Sequence, residues 1–140
     1  MDITPIAARL SIIAKNMQLL KEASNISRDE FLQDNVLQNA IEHEFQVTIQ
    51  AALDIGSLIL ADRSASIPEE YRDIFPKLAE MGVISQELAI KLVGMAKFCN
   101  VLVHMYIDVD LEKVYQYLQN NLGDLETFTR QVGIYMSGDR

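Results

Sequence analysis

One stretch of this chain, Lys97-Phe98-Cys99-Asn100-Val101-Leu102-Val103-His104-Met105-Tyr106, gathers an ammonium, a thiol, an amide, an imidazole and a phenol within one short run. Each residue of an α-helix turns about 100°, so Lys97 and His104 fall within about 20° of each other, and Asn100 about 40° from His104. A cation, an amide and an imidazole thus share one face of an otherwise apolar helix. Two readings stay open. In one, Asn100 and His104 are buried polar groups satisfied by neighbouring helices, while Lys97 extends to water. In the other they form a general acid/base site, with the imidazole moving a proton and the cation and amide facing developing negative charge. Metal chemistry finds no ligand set. His43 and His104 belong to different predicted helices, Cys99 is the single cysteine, and no Glu-x-x-His pair of the di-iron kind occurs. There is no phosphate-binding glycine loop, and no cofactor is expected.

The elements that must carry these residues read as helix from end to end. Thr4-Pro5 is a start signal, a hydroxyl cap followed by a proline whose missing N–H costs nothing at the first helical position. Ile3, Ile6, Leu10, Ile13, Met17 and Leu20 then form one apolar stripe. Ser24-Asn25 interrupts it, and Ser27 with Glu30 makes a capping-box pattern that restarts a helix. Its apolar positions run from Phe31 through Leu37, Ile41, Phe45, Thr48, Ala52 and Ile55 to Ile59. A helix over 28–62 would be roughly 50 Å long, which is long for a domain of this size and leaves room for a bend or an early break.

The clearest loop is Arg63 to Glu70. A short helix near Tyr71 to Glu80 follows, closed by Met81-Gly82. Ser85 caps the next helix, which runs to about Tyr106 with Leu88, Leu92, Met95, Cys99 and Leu102 inward. Asp108 and Asp110 offer caps for a last helix, whose apolar phase from Leu111 to Tyr135 survives Gly123 and predicts one helix rather than two. The methionines Met17, Met81, Met95, Met105 and Met136 read as core filler. The expected fold is all-α: an antiparallel up-and-down bundle of four long helices plus a short one, forming a single domain over 1–140.

Composition narrows the function classes. Twelve basic against 20 acidic residues leave a net charge of −8, which argues against gripping nucleic acid along the whole surface but leaves room for a small local RNA site. With 49% hydrophobic and 23% charged residues, the chain has the balance of a globular protein. A lone cysteine makes no internal disulfide and favours a reducing compartment, the cytoplasm. No apolar run approaches membrane-spanning length, and the Met1-Asp2-Ile3 start lacks a basic signal-like flank, so no membrane association is expected.

Taken together, several segments resemble the HepT-like proteins of the HEPN superfamily. They are Phe31-Leu32-Gln33-Asp34, Gln38-Asn39-Ala40-Ile41-Glu42, Leu53-Asp54-Ile55-Gly56, Pro68 to Phe75, Gly82-Val83-Ile84 and Phe98 to Tyr106. The last is similar to the family motif Phe-Arg-Asn-x-x-x-His-x-Tyr. The resemblance implies a metal-independent ribonuclease toxin paired with a minimal (MNT-type) nucleotidyltransferase antitoxin. It also implies a homodimer whose two motif helices build one cleft, and an RNA substrate, tRNA being one candidate. His104 would be the general acid or base at a ribose 2′-OH, Asn100 would position the phosphate or the His, and Tyr106 would be the tyrosine that the antitoxin modifies with AMP. Asp54 and Glu42 stand as supporting residues. Asp54 would orient His104 or Lys97 across the bundle, or else partner a helix terminus in the core.

The motif's arginine slot holds Cys99. A thiol has neither a delocalised charge nor a bidentate fork. Three consequences are open. The chain is a catalytically impaired variant that serves as a non-catalytic nucleotidyltransferase-binding partner, or Lys97 supplies a substitute cation, or Cys99 is itself a reactive thiol. His43 follows Glu42 where relatives often carry Arg, and reads either as a cleft group or as a plain surface or core histidine. Tyr71, Arg72 and Asp73 are expected in loop and helix-start packing.

Overall fold

The computed structural model describes residues 2–104 and 109–138, the side chains of Val103 and His104 excepted. Met105, Tyr106 and Asp108 lie outside the described residues. Those described form seven α-helices: α1 (Thr4–Ala23), α2 (Arg28–Gln33), α3 (Asn35–Asp62), α4 (Ile74–Glu80), α5 (Gln86–His104), α6 (Leu111–Asn120) and α7 (Leu122–Met136). A 3-10 turn over Tyr71–Asp73 leads into α4. The four long helices α1, α3, α5 and α7 are those the apolar stripes predict, and the all-α bundle stands.

Local chemistry sets the helix ends. Thr4 is not the cap: it is already helical, and the Asp2 carboxylate accepts the Thr4 N–H at 2.9 Å. The hydroxyl of Ser27 accepts the Glu30 N–H at 3.2 Å, as the expected box requires, and the Glu30 carboxylate returns to the Ser27 hydroxyl at 3.1 Å. The anticipated long helix breaks at once. Asp34 leaves helical geometry, and its carboxylate caps α3 by accepting the Leu37 N–H at 3.0 Å. At the break the carbonyl of Phe31 accepts the Asp34 N–H at 3.3 Å and also the buried amide of Gln38 at 2.9 Å. Gly82, with φ of 79°, closes α4 in the left-handed region, and Ser85 accepts the Leu88 N–H at 3.1 Å to open α5.

The single last helix is a correction. Asn121 (φ −118°) separates α6 from α7, two residues before Gly123. Its side chain donates to the Asp124 carboxylate at 3.2 Å, which offers the chain a local alternative to helix. Apolar phase survived because Val114 and Leu118 before the break and Leu122, Leu125, Phe128 and Val132 after it all reach the same core. Periodicity reports which side is buried; it does not report whether the backbone ladder is continuous.

One apolar cluster draws on every helix, with Phe31, Phe45, Phe75 and Phe128 among its largest fully buried side chains. Packing runs along α1 and α3, with α5 against α3 and α4, and α7 against α1 and α5. Arg9 near the start of α1 pairs with Asp54 in the second half of α3, so these two helices run antiparallel. No helix among the described residues is long and apolar enough to cross a membrane.

Candidate functional site

Between α1, α3 and α5 lies a cleft of about 690 Å³, to which the 3-10 turn also contributes. From α5 it takes Lys97, Cys99 and Asn100; from α3, His43 and Asp54; from α1, Arg9 and Ile12; from the turn, Tyr71 and Arg72. The motif helix is therefore one wall of a concave site. Among the described residues no three of His, Cys, Asp and Glu converge as metal ligands would.

Lys97 and Asn100 are both exposed. The reading of Asn100 as a buried, satisfied core amide is thus overturned, while Lys97 reaches water as that reading allowed. Lys97 makes no ion pair among the described residues. The imidazole of His104 lies outside the described side chains, as does Tyr106.

Cys99 sits differently from its neighbours. It is 4% exposed, on the floor of the cleft, with its Sγ 3.8 Å from the carbonyl oxygen of Phe45. Behind it Phe98 stacks on Tyr117 at 4.3 Å between centroids and meets Phe45 edge-on. Burial pushes the thiol up to about 12, so it is a neutral S–H at neutral pH. The reactive-thiol reading fails on this ground, because the thiolate is the nucleophile. Partial burial of its own raises the Tyr117 phenol, with the nearby Cys99 and Asp124 adding to it.

Asp54 is neither buried nor paired with Lys97. Its side chain is 42% exposed, accepts a hydrogen bond from the amide of Gln50 at 2.9 Å and lies 3.6 Å from Nε of Arg9. An Asp set among Ala, Leu and Ile suggested a buried carboxylate; helix packing instead turned that position to the cleft rim. Glu42 is half-buried, and desolvation raises its pKa, but it is not among the residues described as lining the cleft. His43 is exposed and does line it.

Three contributors were missed from the sequence: Arg9, Tyr71 and Arg72. Tyr71 is 66% exposed over the cleft, and Arg72 lies 3.6 Å from the Glu70 carboxylate, so the turn projects side chains to the site instead of packing them away. Arg9 had a signal in Asp54, since a carboxylate amid an apolar run needs a cation nearby. Nothing in the order of residues says which cation, because the pairing spans two helices.

The comparisons with known proteins agree with this architecture. The family model described as Ribonuclease HepT-like matches residues 13–132. The tRNA nuclease HepT of Aphanizomenon flos-aquae is 29% identical over 131 residues, covering 94% of this chain and 89% of that protein. The mRNA nuclease HepT of Shewanella oneidensis is 32% identical over 126 residues, covering 90% of this chain and 91% of that one. Among solved structures, the tri-AMPylated HEPN toxin of Shewanella oneidensis in complex with its MNT antitoxin superposes with a TM-score of 0.87 at 27% identity, over 95% of this chain and 98% of that chain. With a family model spanning most of its length and relatives matched nearly end to end, the chain belongs to the HepT-like ribonuclease family.

Proposed function

We propose that this chain is the RNA-cleaving toxin of a HEPN/MNT toxin–antitoxin pair, acting without metal in the cytoplasm at a cleft shared by two copies of the chain. The observation that carries the reading is that α5, the helix that carries Lys97, Cys99, Asn100 and His104, forms one wall of an open, partly cationic cleft in a HepT-like chain. In the reaction, His104 takes the proton of a ribose 2′-OH. The alkoxide oxygen attacks the adjacent phosphorus, and the 5′ oxygen of the next nucleotide leaves as a hydroxyl with a proton taken from solvent water, giving a cyclic phosphate end; His104 then returns its proton to water. Asn100 donates to a phosphate oxygen, and Lys97 faces the charge that builds on it. A MNT-type nucleotidyltransferase transfers AMP to Tyr106, adding a bulky anion to the motif that closes the site to RNA.

Burial of Cys99 favours a second reading, in which the chain binds the nucleotidyltransferase but cleaves RNA slowly or not at all. Expression with and without the neighbouring nucleotidyltransferase separates the two. A live toxin arrests growth alone and is rescued by its partner, whereas a non-catalytic partner leaves growth unchanged in both. Mass spectrometry of the Tyr106 peptide after co-expression is expected to show additions of AMP mass. The absence of both growth arrest and AMP addition would sink the toxin–antitoxin assignment.

A further inference from the structure

The whole chain carries a charge of −8, yet among the described residues the cleft is lined by three cations, Arg9, Arg72 and Lys97, against two carboxylates, Asp54 and Glu70. This wall of the molecule is locally cationic in an acidic protein. The cations are not equivalent. Arg72 stands on an exposed turn beside Glu70, and Lys97 is a point charge on a flexible stem. Arg9 is different: it projects from the long helix α1, and its guanidinium is held from two sides. Nη1 donates to the Pro5 carbonyl at 3.0 Å, and Nε lies 3.6 Å from Asp54, which the Gln50 amide steadies in turn. Nη2 has no hydrogen bond among the described residues. A planar fork, fixed on a rigid element with donors still free, is what bidentate phosphate recognition needs.

We propose that Arg9, aimed by Asp54, is a phosphate-binding residue of the cleft, supplying from α1 the guanidinium that the motif helix lacks at Cys99. This rests on the ribonuclease reading and adds to it a residue from outside the motif. The ligand is the phosphodiester backbone of single-stranded RNA, gripped between Arg9 on one wall and Lys97 with Asn100 on the other. Asp54 and the Pro5 carbonyl hold Arg9 at the cleft wall when no RNA is bound.

The test uses the full chain and a single-stranded RNA oligonucleotide with 2′-O-methyl riboses, which presents phosphates but has no nucleophile. Binding is followed by fluorescence anisotropy across a salt series, and cleavage on the unmodified oligonucleotide. Arg9→Ala, melting with the parent, is expected to weaken binding and to flatten the slope of log K against log salt by about 0.7, the value of one phosphate contact on a single strand. Cleavage should fall about tenfold or more. Arg9→Lys should keep the slope and recover only part of the cleavage, since it restores charge without the fork. An Arg9→Ala chain that matches a binding, cleaving parent in slope and rate overturns the assignment of Arg9 alone. A parent that neither binds nor cleaves overturns the ribonuclease reading, and Arg9 with it.

Discussion

Restoring the motif arginine, Cys99→Arg, sets packing against catalysis, and both sides can be sized from the site. Cys99 is 4% exposed and packed against the Phe45 carbonyl, so a longer side chain overfills the floor at a cost of about 1–3 kcal/mol. The charge itself escapes burial because Cys99 lines the cleft, giving the guanidinium a path outward to water and to RNA phosphate. At this chain length each kcal/mol lowers the melting temperature by roughly 3–5 °C. A domain stable by about 5–15 kcal/mol stays folded at 25 °C after such a loss, so activity remains readable. A donor placed on developing negative charge is worth about 10²–10³ in rate. With Arg9 and Lys97 already in the cleft, the gain should be smaller, about ten- to a hundredfold.

The assay is cleavage of a fluorescent RNA alongside a thermal melt, with Cys99→Met as a bulky uncharged control. Cys99→Arg should melt lower and cut faster, and Cys99→Met should melt lower and cut no faster. The arginine should also restore cleavage to an Arg9→Ala chain. A folded Cys99→Arg protein that cleaves no faster than its parent would refute the idea that the cleft lacks a cation.

Cys99 should react with dithionitrobenzoate far more slowly in the native chain than after unfolding, because it is 4% exposed and burial pushes its thiol up to about 12; comparable rates would contradict the buried floor. The unfolded thiol ionises first, so the stability that Cys99 contributes is present below about pH 9 and is lost as pH rises toward 12, a decline that Cys99→Ala should reduce in alkaline denaturation. Gly56→Ala should lower the melting temperature. Its new Cβ would collide with Ile74 and crowd Leu78 at 3.1 Å, costing about 1–3 kcal/mol against about 1 kcal/mol regained in helix propensity. His104→Ala should abolish RNA cleavage while leaving the melt near the parent's; retained cleavage would remove His104 from the mechanism.

From residue order alone came the all-α class, the four long stripes, the Ser27 and Ser85 caps and the Gly82 stop. These follow from interactions within a turn or two of helix, which the order of residues encodes directly. The family resemblance was legible in the same way, through segments spread along the chain. Tertiary structure decided the rest. It broke the 28–62 helix at Asp34, where a side-chain cap and the Gln38 bridge satisfy the freed backbone groups. It split the last helix at Asn121, which an unbroken apolar phase concealed. It put Cys99 on the floor and Lys97 and Asn100 on the rim, although all three sit within one turn of the same helix. It also joined Arg9 to Asp54, residues 45 positions apart on antiparallel helices. Helical periodicity says which way a residue points from its own axis; which partner stands there depends on how helices pack, and the cleft is made of those meetings.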